Sequence, residues 1–407
     1  MSDKKGKILY LLHWFPAISE TFILREILEF QKHGEVVDVA RLNQSPDKIT
    51  HSEVEKFDGE IFDPKKGFIH VLSAHFFWLT SSPEIYFPVL FTIVSKISHP
   101  KTVTVSLRAF CKAVRIAWQL KDSDYRHIHA HFGNAPATGA WILAKFLNAP
   151  FSFTLHAVGV FLPDKLLVRK VADSKFVGVI SQFNINYLKE RFPDIDSEKF
   201  KIVRCGICPD EFEFSLADKL NQPAKVLSVG RMVETKGFRD LIHAVKKLKN
   251  DGKPVELTLI GGGEKLDEFR KLASDLEIAD LVKFTGPLPQ NDVRDAMLNC
   301  DLFVLAASVS PKGDRDGIPV VLMESLAFGI PTISTEVSGI PELIKNFETG
   351  LLVPEKNPDA LSDAMMLLIN ELGLRKRLSH TGRKLVEEQF NVEKNASTLL
   401  SLIGEVS

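Results

Sequence analysis

At 407 residues the chain exceeds what one hydrophobic core usually covers, so two domains are expected. Hydrophobic residues make up 45% and charged residues 25%, an ordinary balance for a globular enzyme that excludes a disordered chain. The net charge of −1 hides an asymmetry: residues 1–205 hold 27 Lys+Arg against 21 Asp+Glu and the remainder 24 against 31, so an anionic partner is expected on the first half.

The first residues, Met1 to Lys7, lead into a short apolar run with no small-residue cleavage site after it. A signal peptide is therefore not expected, and the sequence points to the cytoplasm. Four cysteines give no disulfide framework, and the lone CxxC of Cys205 and Cys208, followed by Pro209, lacks the second pair of a zinc site.

Residues 7–12 read as a strand, and Ser19 as the N-cap of a helix whose Ile23, Ile27 and Phe30 fall at helical spacing before Gly34. A second strand follows over 35–42, which opens a doubly wound α/β unit. Residues 67–95 are rich in aromatics, but His70, His75, Pro83, Glu84 and Pro88 interrupt them before a membrane span accumulates. Helices buried in the first domain are the expectation there. Between Ile85 and Lys121 there is no acid, and on a helix over 103–121 Arg108, Lys112 and Arg115 share one face beside a stripe of Leu107, Cys111, Val114 and Trp118. Such a helix suits either a solvated face over a core stripe or an anionic membrane surface.

His127, His129 and His131 point to one side of a strand, which raises metal ligation, although no later acid stands in an obvious matching place. His131, at the loop before a helix over 137–146, reads instead as a ligand for phosphate or sugar hydroxyls. His156 directly follows a strand over 151–155, at the carboxyl end where open α/β sheets collect their ligands. A strand over 176–180 leads to Ser181, a helix cap, and 206–223 reads as the linker.

A strand over 224–229 then opens the second domain and runs into a turn with Arg231 and Lys236, two cations placed to neutralise a diphosphate. The turn 261–264 after the next strand is not a dinucleotide fingerprint, because residue 266 is Leu. Strands over 282–285 and 302–306 continue the alternation. Asp316 and Glu324 flank Gly317 and Pro319 where a helix begins, so free backbone N–H groups lie between two acids. Orphan amides attract phosphate and carboxylates accept from hydroxyls, a combination that suits a nucleotide sugar.

Gly230-Arg231 with Lys236-Gly237, Gly261 to Glu264, Gly286 to Leu288, Asp316 to Pro319 with Glu324, and Ser338 to Glu342 together resemble the family-4 retaining glycosyltransferases. His13 to Pro16, Ser19 to Phe22, His129 to Gly133 and Thr154 to His156 resemble their exopolysaccharide, colanic-acid-type subgroup. The resemblance implies an α/β GT-B fold, two Rossmann-like doubly wound domains facing each other across a cleft. Residues 1–205 form the acceptor domain, with a C-terminal helix at 390–407 returning to it, and 206–389 the nucleotide-sugar domain.

It further implies that Arg231 and Lys236 bind the donor diphosphate, Glu324 the ribose, and Asp316 a hydroxyl of the transferred sugar beside Gly317, Ile318 and Pro319. His156 would touch the donor sugar, Leu288 border the base, and Gly262, His131 and the helix amides after Ser19 complete the substrate contacts. The donor implied is UDP- or GDP-linked, the acceptor a glycan or a lipid-linked acceptor, and retention of configuration needs no metal. Nucleic acid is not an expected partner, and the membrane reading of the basic helix over 103–121 would place the chain peripherally on the inner face of the cytoplasmic membrane. Two features depart from the family pattern: Asp316 stands where relatives carry Glu, and 15–19 replaces a glycine-rich loop. The competing readings are a nucleotide-sugar epimerase or phosphorylase on the same fold, and a non-catalytic sugar-nucleotide-binding protein.

Overall fold

The structure is a computed structural model that describes residues 6–17, 20–45, 52–95, 100–163, 165–216 and 219–407, with backbone alone at 52 and 100–105. Two units divide it: Met1–Arg204 with Val392–Ser407, and Cys205–Asn391.

In the first unit, strands β1 (Lys7–Leu12), β2 (Val37–Arg41), β3 (Ile61–Phe62), β4 (Tyr125–His131), β5 (Phe151–Leu155), β6 (Val177–Val179) and β7 (Phe200–Ile202) form one sheet in the order β3-β2-β1-β4-β5-β6-β7. All pairings are parallel. Parallel strands must be covered on both faces, which explains why β1 is apolar without alternation. Leu9 and Leu11 join one core, while Ile8, Tyr10 and Leu12 join another on the opposite face. The first core is filled from helices α2 (Phe68–Ser81), α3 (Pro83–Ser95), α4 (Pro100–Gln119), α5 (Ala135–Leu147), α6 (Ala157–Phe161), α7 (Leu167–Asp173) and α8 (Gln182–Arg191). The second is filled from α1 (Thr21–Lys32) and from the last helix of the chain, over 392–404.

Several local signals act as the sequence implies. Gly34, at φ 79°, ends α1, and Ser181 Oγ accepts from the Asn184 amide at 3.1 Å to start α8. The N-cap position of α1 is Glu20; Ser19 lies outside the described residues.

One expectation fails: α2 and α3 are not buried, apart from Ala74 and Trp78 of α2 and Tyr86, Val89 and Ile93 of α3. A helix apolar on every side does not reveal which side it turns inward. The basic helix over 103–121 has the core stripe of the first of its two readings, with Arg108 exposed. Ala109, Phe110, Ala113, Val114, Ile116 and Ala117 of α4 are buried, Lys112 donates to Asn43 Oδ1, and Arg115 donates to the Lys65 and Cys111 carbonyls.

The second unit repeats the plan with β8 (Ala224–Val229), α9 (Phe238–Asn250), β9 (Val255–Ile260), α10 (Leu266–Asp275), β10 (Val282–Gly286), α11 (Gln290–Leu298), β11 (Leu302–Leu305), α12 (Val320–Phe328), β12 (Thr332–Thr335), α13 (Ile340–Leu343) and β13 (Leu351–Val353). Its parallel sheet runs β10-β9-β8-β11-β12-β13, and α14 (Pro358–Asn370) and α15 (Leu372–Gln389) complete its helical layers. α16 (Val392–Gly404) is the terminal helix that packs on α1. In the segment read as the linker, 206–223, described residues are held by the second unit. Ile207 is fully buried and bridges Asn391, and Arg383 donates to the Phe212 carbonyl at 2.7 Å.

Candidate functional site

Both sheets reverse their winding at the first and fourth strands of their unit, β1 beside β4 and β8 beside β11. The loops leaving two such strands diverge to opposite faces and open a crevice at the carboxyl edge, where ligands of this architecture bind. The predicted site residues that are described lie at or beyond the carboxyl ends of strands of these two sheets.

In the second unit, β8 exits through Gly230 and Arg231 into the turn that carries Lys236, and β11 exits into the long segment that carries Asp316. Lys236 Nζ lies 2.9 Å from Asp316 Oδ2, so the crevice brings together two groups eighty residues apart in sequence. The ion pair is close but poorly directed: Asp316 Oδ2 is buried and accepts no aligned hydrogen bond among the described residues. Such an oxygen retains capacity for a hydroxyl donor.

The turns are laced by their backbones. Gly230 N–H donates to the Ile260 carbonyl, Met232 N–H to Gly262, Gly261 N–H to Gly286, and Ser308 N–H to Thr235, all at 2.8–3.0 Å. Gly261 has φ 137° and Gly237 φ 64°, and the Gly237 Cα faces the Ala306 carbonyl so closely that a Cβ would stand 1.6 Å from its oxygen. Glycine is required there because the turn bearing Lys236 rests directly on the exit of β11. Gly237→Ala is expected to cost at least ~2 kcal/mol of stability, against about 1 kcal/mol for Gly252→Ala, a left-handed position with open space around it. Urea denaturation midpoints of the two variants check this.

The Lys236 stem runs over Gly230, 3.2 Å from where a Cβ would stand, so cations 231 and 236 belong to one turn; Arg231 itself is exposed. Gly262 abuts Pro287, and Leu288 after β10 is half-buried against the core. Gly317, Ile318 and Pro319 are buried and lead into α12, with Pro319 at its N-cap position. The Ile318 side chain packs in the core, so this residue offers a ligand its backbone only. Glu324, half-buried, stands in the second turn of α12.

In the first unit the edge of β4 and β5 holds a buried polar network. Tyr10 Oη donates to Glu26 Oε1 at 2.7 Å, Glu26 Oε1 lies 2.9 Å from His131 Nε2, and His131 Nδ1 lies 2.9 Å from His156 Nε2. Both ring nitrogens of His131 are therefore engaged inside the chain, which corrects the expectation of a direct substrate ligand. His131 thus links the Glu26 carboxylate to the His156 ring, and the donor and acceptor roles along the relay follow the tautomers of the two rings. His129 bonds Ser152 Oγ at 2.7 Å and Thr154 Oγ1 at 3.1 Å, and His127 bonds Ser152 Oγ at 2.7 Å. Glu26, His129 and His131 bring ligand atoms within 4.8 Å of one another, but all four ring nitrogens of the two histidines already engage neighbours.

Burial holds His156 well below its ordinary pKa, with His131 adding to the effect, and does the same to His129; His127 is held down to about 3 by burial with help from Arg126 and Lys175. Tyr10 is pushed well above its usual range by burial and then by Glu26. These rings are neutral at physiological pH. Glu26 escaped sequence reasoning, although the signal was present: it lies on the apolar stripe of Ile23, Ile27 and Phe30, where a carboxylate demands a partner. Lys170 is likewise fully buried, donating to the Gly133 carbonyl at 2.5 Å and thereby fixing the loop that follows His131.

The family described as Glycosyl transferases group 1 matches residues 209–385. The amylovoran biosynthesis glycosyltransferase AmsK of Erwinia amylovora is 37% identical over 195 residues, 48% of each chain. The putative colanic acid biosynthesis glycosyltransferase WcaL of Escherichia coli K12 is 26% identical over 98% of this chain and 99% of its own. Among solved structures, Anabaena Alr3699/HepE in complex with UDP and glucose superposes with a TM-score of 0.74 at 16% identity, covering 98% of this chain and 100% of that one. A likeness at that identity carries the fold, which is GT-B. Residues 209–385 thus match the group 1 glycosyl transferases, and along its whole length the chain is similar to glycosyltransferases named for colanic acid biosynthesis.

Proposed function

We propose that this glycosyltransferase moves a sugar from a UDP- or GDP-linked donor to a glycan or lipid-linked acceptor in polysaccharide synthesis, with retention of anomeric configuration and without a divalent ion. The observation that carries the reading is the Lys236–Asp316 pair at the switch point of the second sheet, with Asp316 Oδ2 lacking an aligned donor. Breaking the bond between the anomeric carbon and the diphosphate puts positive charge on the sugar and negative charge on the leaving oxygens. Arg231, Lys236 and the amides that open α12 stabilise the leaving group, and their charge is fixed before the reaction starts. Asp316 accepts from a hydroxyl of the sugar, and Glu324 from the ribose. Gly262 and Leu288 border the nucleotide.

In the first unit, His156 touches the donor sugar as a neutral imidazole, held in position through His131 and Glu26. The UDP in the HepE structure supports a nucleotide donor, and the names of the relatives support transfer over epimerisation, phosphorolysis or simple binding. A lipid-linked acceptor places the work at the inner face of the cytoplasmic membrane.

Thermal denaturation across UDP-, GDP- and ADP-sugars tests the donor, because a ligand that binds only the folded chain stabilises it by RT ln(1 + [L]/Kd), about 2.7 kcal/mol at a hundred times Kd. One nucleotide series is expected to raise Tm, and NMR of the product made from that donor to show the donor's own anomeric configuration. No shift with any of them at millimolar concentration, together with no transfer, would overturn the assignment.

A further inference from the structure

The described residues expose fourteen large hydrophobic side chains, and seven lie between 68 and 94. On α2 they are Phe68, Ile69, Leu72 and Phe76, at spacings that put them on one face; Phe68 and Ile69 are 77% and 76% exposed. On α3 they are Phe87, Phe91 and Val94, again on one face, with Phe91 73% exposed. Both helices pack inward on α4, and Ala74, Trp78, Tyr86 and Ile93 fill the core beneath. A soluble protein rarely leaves so much contiguous apolar surface without a use for it.

The charge around these faces selects the occupant. Residues 64–121 carry eight Lys or Arg against one acid, Glu84. Lys65 and Lys66 are exposed immediately before α2, and Arg108 is exposed on α4. Two copies of this chain meeting through the patch would set these cations against each other. An anionic surface that also accepts aromatic side chains has no such conflict.

We infer that the outward faces of α2 and α3 dock on an anionic phospholipid bilayer, the phenylalanines entering the acyl boundary and the flanking lysines meeting the headgroups. The inference rests on the reading that the acceptor is lipid-linked, and it moves the membrane contact from the basic helix α4 to the apolar pair in front of it. The two helices have 14 and 13 residues, about 20 Å each, short of the ~30 Å hydrocarbon core. No helix among the described residues is long and apolar enough to cross a membrane. They therefore lie in the plane of the interface.

Co-sedimentation of the full chain with vesicles of phosphatidylcholine, alone or mixed with phosphatidylglycerol, tests the docking. The wild type is expected to partition at least ~10-fold better onto the mixed vesicles, and to lose most of that advantage near ~0.5 M salt. The triple variant Phe68→Ser, Phe76→Ser, Phe91→Ser removes only exposed rings, and is expected to bind the mixed vesicles at least ~10-fold less with an unchanged Tm. Equal binding by variant and wild type, or no preference of the wild type for the anionic vesicles, overturns the proposal. So does a concentration-dependent dimer in light scattering that the variant abolishes, which would make the patch a self-association surface. Sedimentation needs neither donor nor acceptor, so a failure of the proposed transfer reaction leaves this readout intact. Conversely, transfer to a water-soluble acceptor fragment by the triple variant is expected at the wild-type rate.

Discussion

Lys236→Ala is expected to lower kcat/KM for sugar transfer by about 10²–10³, the range seen when one preorganised charge partner of a developing anion is removed. Two terms add at this position. The leaving diphosphate loses a cation, and Asp316, whose Oδ2 is buried 2.9 Å from that amine, becomes an uncompensated carboxylate beside the same phosphates. The double variant Lys236→Ala, Asp316→Asn separates them, because it removes the stranded charge but leaves the missing cation missing. Part of the loss in the single variant should therefore return in the double. Steady-state rates with the donor identified by thermal shift supply the measurement. Wild-type turnover in Lys236→Ala would end the assignment of this crevice to the diphosphate.

The second large effect is on stability, and it follows from the buried imidazoles of the first unit. In the unfolded chain each titrates near its ordinary value of about 6.5. In the folded chain burial keeps His127, His129 and His156 neutral far below that, down to about 3 for His127. Below about pH 6.5 the unfolded chain consequently binds more protons than the folded one. The stability these groups contribute is complete above that pH and drains away as the pH falls toward the folded values. Three such groups together lose about 4 kcal/mol between roughly pH 7.5 and 5.5, a large part of the 5–15 kcal/mol that holds a typical domain. Urea unfolding followed by tryptophan fluorescence at the two pH values measures it. His127→Gln, which can still reach Ser152, should flatten the dependence by about a third. A midpoint independent of pH over this range would refute the account.

Much of the architecture was legible because parallel strands and capped helices leave local signatures. The apolar run of β1 has no polar side because both faces are covered, and Ser181 and Gly34 sit where a helix must start or stop. Pairings between distant residues were less legible. Lys236 and Asp316 were each singled out for their chemistry, but that they touch depends on β8 lying beside β11, which no local pattern states. His131 was misassigned for the same reason. Its partner Glu26 is 105 residues away, and only the awkwardness of an acid on the apolar stripe of α1 hinted at the pairing. The outward faces of α2 and α3 were hidden by the opposite problem. Their sequences are apolar all round, so nothing in the period of the pattern separated a core side from an exposed one.

The route of the chain has one more consequence. Ile207 bridges Asn391, so the second unit begins and ends at one spot, whereas the core under α1 closes only when Ala396, Leu399 and Ile403 arrive on α16. A ribosome must therefore release the chain through Ile403 before the N-terminal half can finish folding, while the middle portion can already be native. Cloning boundaries inherit the same rule: 205–391 is one compact unit, and any product stopping at 204 lacks part of its own interior.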